Sequence, residues 1–135
     1  MIAVTMHTEI DSWLRPFALD EGLHAHTAEV VASLPPHVRD DLMGDPAFVM
    51  CDYEPAAGRA FLVPVKLPRG GPSRSVVLKR TLRSRPVPFV RWVIAHELAH
   101  AHLRNKGRFP GDDPERAADA LAGDWGFPKP AKMPW

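Results

Sequence analysis

Across residues 88–103 (PFVRWVIAHELAHAHL) apolar side chains fall on nearly every face of a helical projection, and no proline follows the first residue. This pattern predicts a buried helix, with Pro88 in its first turn, where a missing N–H costs little. A second periodic stretch, residues 113–125, opens on Asp113-Pro114-Glu115 and stops at Gly126. That opening combines a capping aspartate, a first-turn proline and an acidic first turn. The small side chains of Ala117, Ala118, Ala120 and Ala122 let this second helix approach a neighbour closely. Upstream, residues 27–34 and 36–43 read as two short helices separated by Pro35-Pro36, with Thr27 as cap of the first and Gly44 ending the second. Between these and the buried helix lie strand-like runs at 47–53, 59–67 and 73–82, joined by short turn-rich segments. They predict a small, mostly antiparallel three-stranded sheet, and Pro64 assigns the middle run to an edge or a bulge. Residues 1–26 give no clear element, because Ile10, Trp13, Leu14 and Phe17 keep helical spacing but Pro16 interrupts it.

The expected class is therefore α+β: an N-terminal segment over 1–26, one domain over 27–126, and a proline-rich extended tail over 127–135. Composition agrees with a single globular unit, at 135 residues, 45% hydrophobic and 24% charged. The one cysteine, Cys51, excludes an internal disulfide framework and an all-cysteine zinc site. No apolar run approaches the ~20 residues of a membrane span. The first thirteen residues carry Glu9 and Asp11 and no Lys or Arg, so a cytoplasmic location without a signal peptide is expected.

Charge changes the picture more than composition does. Residues 1–54 hold ten acidic and two basic residues, residues 55–96 hold nine basic and none acidic, and residues 97–135 hold six of each. The acidic and basic thirds can neutralise each other, or part of the basic strip can face an acidic partner. A nucleic-acid adaptor role through this strip is the weaker reading.

The buried helix contains His96-Glu97-Leu98-Ala99-His100, an HExxH motif. Residues i and i+4 share a helix face, with Cβ atoms about 5–6 Å apart, so two imidazoles can converge on one Zn²⁺. Glu97, rotated by about 100°, is placed to reach a water rather than the ion, as a general base. A continuation HExxHxxGxxH is excluded, because Leu103 and Lys106 stand where glycine and histidine are needed. The next helix offers Glu115-Arg116-Ala117-Ala118-Asp119, in which Glu115 and Asp119 again share a face. Glu115 can complete a two-histidine, one-glutamate ligand set, and Asp119 can hold the far nitrogen of a ligand histidine or be a ligand itself.

HELAH followed after fourteen residues by ERAAD resembles the gluzincin zinc peptidases, in the short-gap arrangement of the ImmA/IrrE-type peptidases and the minigluzincins. The resemblance covers 96–100 and 115–119. It implies a minimal zincin-like fold in which a helix and a small sheet precede the HExxH helix. It also implies one Zn²⁺ on His96, His100 and Glu115, and hydrolysis of peptide bonds with Glu97 as base. The expected partner is a peptide or protein substrate, acidic if the basic strip borders the cleft, lying extended along residues 73–82. The alternative is a zinc-stabilised interaction module without catalysis, which would use a fourth protein ligand and would not need Glu97.

The remaining candidates have plainer readings. His102 points about 160° from His100 and reads as a surface or loop-contacting residue. His24 and His26 read as structural, Cys51 as a small buried strand residue, and Trp92 and Trp125 as packing residues. Tyr53, the only tyrosine, is a weak candidate as a donor to an oxyanion.

Overall fold

The computed structural model describes residues 2–53, 74–105 and 114–131. In chain order these form α1 (Ile2–Leu14), a 3₁₀ turn (Arg15–Phe17), α2 (Glu21–Ser33), α3 (Pro36–Met43), β1 (Phe48–Tyr53), β2 (Arg74–Lys79), a second 3₁₀ turn (Arg80–Ser84), α4 (Val87–Asn105) and α5 (Pro114–Asp124). The class is α+β and mostly helical. No described helix is long and apolar enough to cross a membrane.

The segment that resisted reading is helical and belongs to the common core. Ile10 and Leu14 of α1 and Leu23 of α2 are fully buried. Pro16 sits in the 3₁₀ turn that ends α1, and Ala18 takes a left-handed conformation (φ 53°) to redirect the chain. Trp13 stacks on Phe48 with ring centroids 5.2 Å apart, fastening α1 to β1. The cap of α2 is Asp20, whose carboxylate accepts from the N–H groups of Gly22 and Leu23. Thr27, expected as the cap, instead lies inside α2 and is fully buried. The expected boundary at 26/27 thus falls within a helix. The helix over 36–43 forms as expected, with Pro36 in its first turn and Gly44 at its end.

The sheet corrects the sequence reading. β1 and β2 pair in parallel, in register from Phe48 opposite Arg74 to Tyr53 opposite Lys79. The expected middle strand at 59–67 lies outside the described residues, so the described sheet has two strands rather than three. Short connections pointed to antiparallel hairpins, but parallel neighbours need a crossover of a dozen residues or more, and residues 54–73 supply that length. The expected strand over 73–82 ends at Lys79 and turns into 3₁₀. Cys51 is in β1 as read, but half-buried.

An acidic–basic latch closes one end of the fold. Asp52, at the end of β1, accepts from the Asp20 backbone N–H and from Arg80 Nε. Arg83 donates to Asp20 at 2.7 Å. Part of the basic strip is therefore neutralised by the acidic first third. Burial raises the Asp20 carboxyl, but Arg83 and the two capping N–H groups outweigh it and hold it below the usual range.

α4 runs through the middle. Val90, Ile94, Ala95, Leu98 and Ala99 are fully buried, as the all-round apolar pattern requires. α5 lies along α4, with Ala118 and Ala122 fully buried at the contact. Alanines at this spacing bring the two helix axes close and so bring their polar side chains within reach of each other.

Candidate metal centre

The centre is built by α4 and α5. The i,i+4 spacing puts His96 and His100 on one face of α4, with their rings edge to face at a centroid distance of 4.6 Å. Across the helix contact, Glu115 Oε2 stands 2.8 Å from His96 Nε2 and 3.0 Å from His100 Nε2, and the two Nε2 atoms are 3.1 Å apart. Three donor atoms thus form a nearly equilateral triangle. Ligand atoms about 2.0–2.1 Å from a tetrahedral Zn²⁺ lie about 3.3 Å from one another, so the triangle is a slightly contracted face of such a tetrahedron. His96, His100 and Glu115 could together hold a metal ion.

Asp119 stands behind one of the two imidazoles. Its Oδ1 lies 2.8 Å from His96 Nδ1. With Nδ1–H donated to this carboxylate, His96 Nε2 presents a lone pair to Glu115 and His100. Converging lone pairs repel unless a positive charge lies among them, and either a proton or a metal ion meets that need. In the ion-free state the His100 imidazole, hydrogen-bonded to Glu115, holds that carboxyl below its usual range; burial opposes this and His96 adds to it. His100 is the less supported of the two imidazoles, since its Nδ1 is buried with no hydrogen-bond partner among the described residues. The donor chemistry fits a zinc-type cation: two imidazoles and a carboxylate, with a second carboxylate behind one imidazole.

Beside the triangle lies an open cleft of about 470 Å³. His96 and Glu97 line it, with Val77, Leu82, Phe89, Trp92 and Val93 as an apolar wall. Lys79 and Arg85 also border it. The basic strip therefore divides: Arg80 and Arg83 serve the latch, whereas Lys79 and Arg85 reach the cleft. β2 contributes directly to the cleft through Val77 and Lys79, on the face opposite the buried Val76.

Among the other candidates, His102 is corrected. It is buried rather than a surface residue, and its Nδ1 lies 2.6 Å from Asp41 Oδ2 on α3, away from the centre. Its direction away from His100 agrees with the helical geometry, but α3 covers that face. His24 faces Asp11 at 2.7 Å, and His26 faces Arg91. Trp92 and Trp125 are buried, as read. Trp92 also touches the centre, with its ring centroid 5.4 Å from that of His96.

One residue near the centre was not singled out in the sequence. Lys129, in the segment after α5, places Nζ 3.8 Å from Asp119 Oδ2 and 5.7 Å from the centroid of the Trp92 ring. The available signal was the Pro128-Lys129-Pro130 pattern, a lysine held between two prolines.

Comparison with protein-family models, curated proteins and solved structures gives no match. The functional reading therefore rests on the residues and their geometry.

Proposed function

We propose that the protein is a zinc-dependent peptidase of the gluzincin type. The observation that carries the reading is the convergence of the His96, His100 and Glu115 donor atoms beside a cleft that Glu97 also lines. His96, His100 and Glu115 would hold the ion, and Asp119 would keep His96 in its ligating tautomer. When bound, the ion would polarise the scissile carbonyl and acidify a water. The Glu97 carboxylate takes a proton from the attacking water and returns it to the leaving amine. The apolar wall receives a substrate side chain and excludes solvent from the reacting bond. An extended peptide laid along β2 passes His96 and Glu97, and Lys79 and Arg85 bias that peptide towards acidic residues.

The test combines metal analysis with cleavage of a peptide library. The wild-type protein should carry about one zinc per chain and cleave the library. His100→Ala should lose the zinc. Glu97→Gln should keep it and lose at least ~100-fold in rate, the usual scale for a missing general base. Cleavage by Glu97→Gln at the wild-type rate refutes the assignment of the base. Zinc bound without any cleavage by the wild type would instead support a zinc-stabilised interaction module.

A further inference from the structure

We infer that Lys129 is a positioning residue of the metal centre: held by the segment after α5, its ammonium stands in ion-pair range of the second oxygen of Asp119 and weakens the hold of the centre on its cation. The inference rests on the reading of His96, His100 and Glu115 as metal ligands.

The backbone presents Lys129 with little freedom. Gly126 has φ of +100°, its N–H bonds to the Gly123 carbonyl at 3.0 Å, and the Phe127 N–H bonds to the Ala122 carbonyl at 2.9 Å. This double bond pattern ends α5 in a left-handed glycine and sets the direction in which the chain leaves. Phe127 then packs against the core. Pro128 and Pro130 fix their own φ angles, and Pro130 restricts Lys129 to extended backbone. Less conformational entropy is therefore lost in holding the ammonium at Asp119 than for a lysine in a flexible tail.

From there the charge reaches His96 by two routes. Asp119 offers Oδ1 to His96 at 2.8 Å and Oδ2 to Lys129 at 3.8 Å. The Trp92 ring is close to both, its centroid 5.7 Å from the ammonium and 5.4 Å from that of the His96 ring. A carboxylate behind a ligand imidazole raises its basicity, and a cation on that carboxylate reduces the gain. The ammonium also repels a divalent ion directly. The Lys129 side chain is 52% exposed, so solvent and salt screen the effect and keep it modest. Thermodynamic linkage makes the coupling reciprocal: a bound cation loosens the segment by the factor with which the docked segment weakens the cation.

Zn²⁺ affinity measured by competition with a chromophoric chelator tests this without reference to turnover. At low salt Lys129→Met should bind Zn²⁺ two- to fivefold more tightly than wild type, Lys129→Arg should match wild type, and the difference should fade at 1 M salt. In an Asp119→Asn background the gain from Lys129→Met should fall below twofold. Hydrogen exchange of residues 126–131 should quicken in wild type when Zn²⁺ binds. Equal affinities of wild type and Lys129→Met, an undiminished gain in the Asp119→Asn background, or exchange indifferent to Zn²⁺ overturns the inference alone. A wild-type protein that binds no Zn²⁺ removes the metal reading and the inference with it.

Discussion

Replacing Asp119 tests the centre where its geometry is most specific. The Asp119 carboxylate is the partner of His96 Nδ1 at 2.8 Å, and its side chain is only 28% exposed. Asp119→Ala removes both the hydrogen bond and the charge, so the imidazole loses its fixed tautomer and part of its basicity. Outer partners of this kind are worth roughly 10–100-fold in metal affinity, or about 1.4–2.7 kcal/mol. Asp119→Asn keeps an acceptor oxygen but not the charge. A neutral hydrogen bond has about half the strength of a charge-assisted one, so the loss should lie near the lower end, about tenfold. Chelator competition for Zn²⁺ gives the affinities, and urea unfolding of the metal-free proteins shows whether folding has changed. The ordering wild type, Asn, Ala is the specific expectation. If Asp119→Ala binds Zn²⁺ as tightly as wild type while remaining folded, Asp119 does not orient His96. If it loses all binding and Asn retains it fully, Asp119 contributes an oxygen rather than a charge.

Leu98→Ala should destabilise the metal-free fold by about 2–5 kcal/mol, because Leu98 is fully buried in the middle of α4; a loss under 1 kcal/mol by urea unfolding would contradict the placement of the core. Asp20→Ala should cost about 1–2 kcal/mol at neutral pH through the lost cap. The Asp20 carboxyl is held below its unfolded value of about 3.9, so its charge stabilises the fold above that pH, and the contribution disappears as pH falls through the lower folded value. The gap between wild type and Asp20→Ala should therefore narrow below pH 4, and a constant gap down to pH 2 would refute the charge argument. If Lys79 and Arg85 bias the cleft, acidic peptides should bind better than basic ones at low salt and lose the preference as salt rises, whereas binding indifferent to peptide charge would remove that bias.

The features legible in the sequence are those governed within one or two helical turns. The shared face of His96 and His100, the buried character of α4, the proline-led start of α5 and its glycine stop all follow from periodicity and capping, which act over a few residues. The pairing of His96 with Glu115 was accessible too, because short side chains at Ala118 and Ala122 implied a close second helix. What the tertiary structure alone decided are meetings between distant segments. The parallel pairing of β1 with β2 is one of them, because hydrophobic alternation is the same for parallel and antiparallel strands. Which nitrogen of His96 faces Asp119 depends on the separation of two helix axes. Burial of His102 needed α3 to cover it and Asp41 to face it, and the division of the basic strip needed Asp20 and Asp52 to fold onto Arg83 and Arg80. Lys129 reaches Asp119 because Gly126 turns the chain back towards α4, a direction set by a left-handed glycine and two prolines and given its consequence only by what lies opposite.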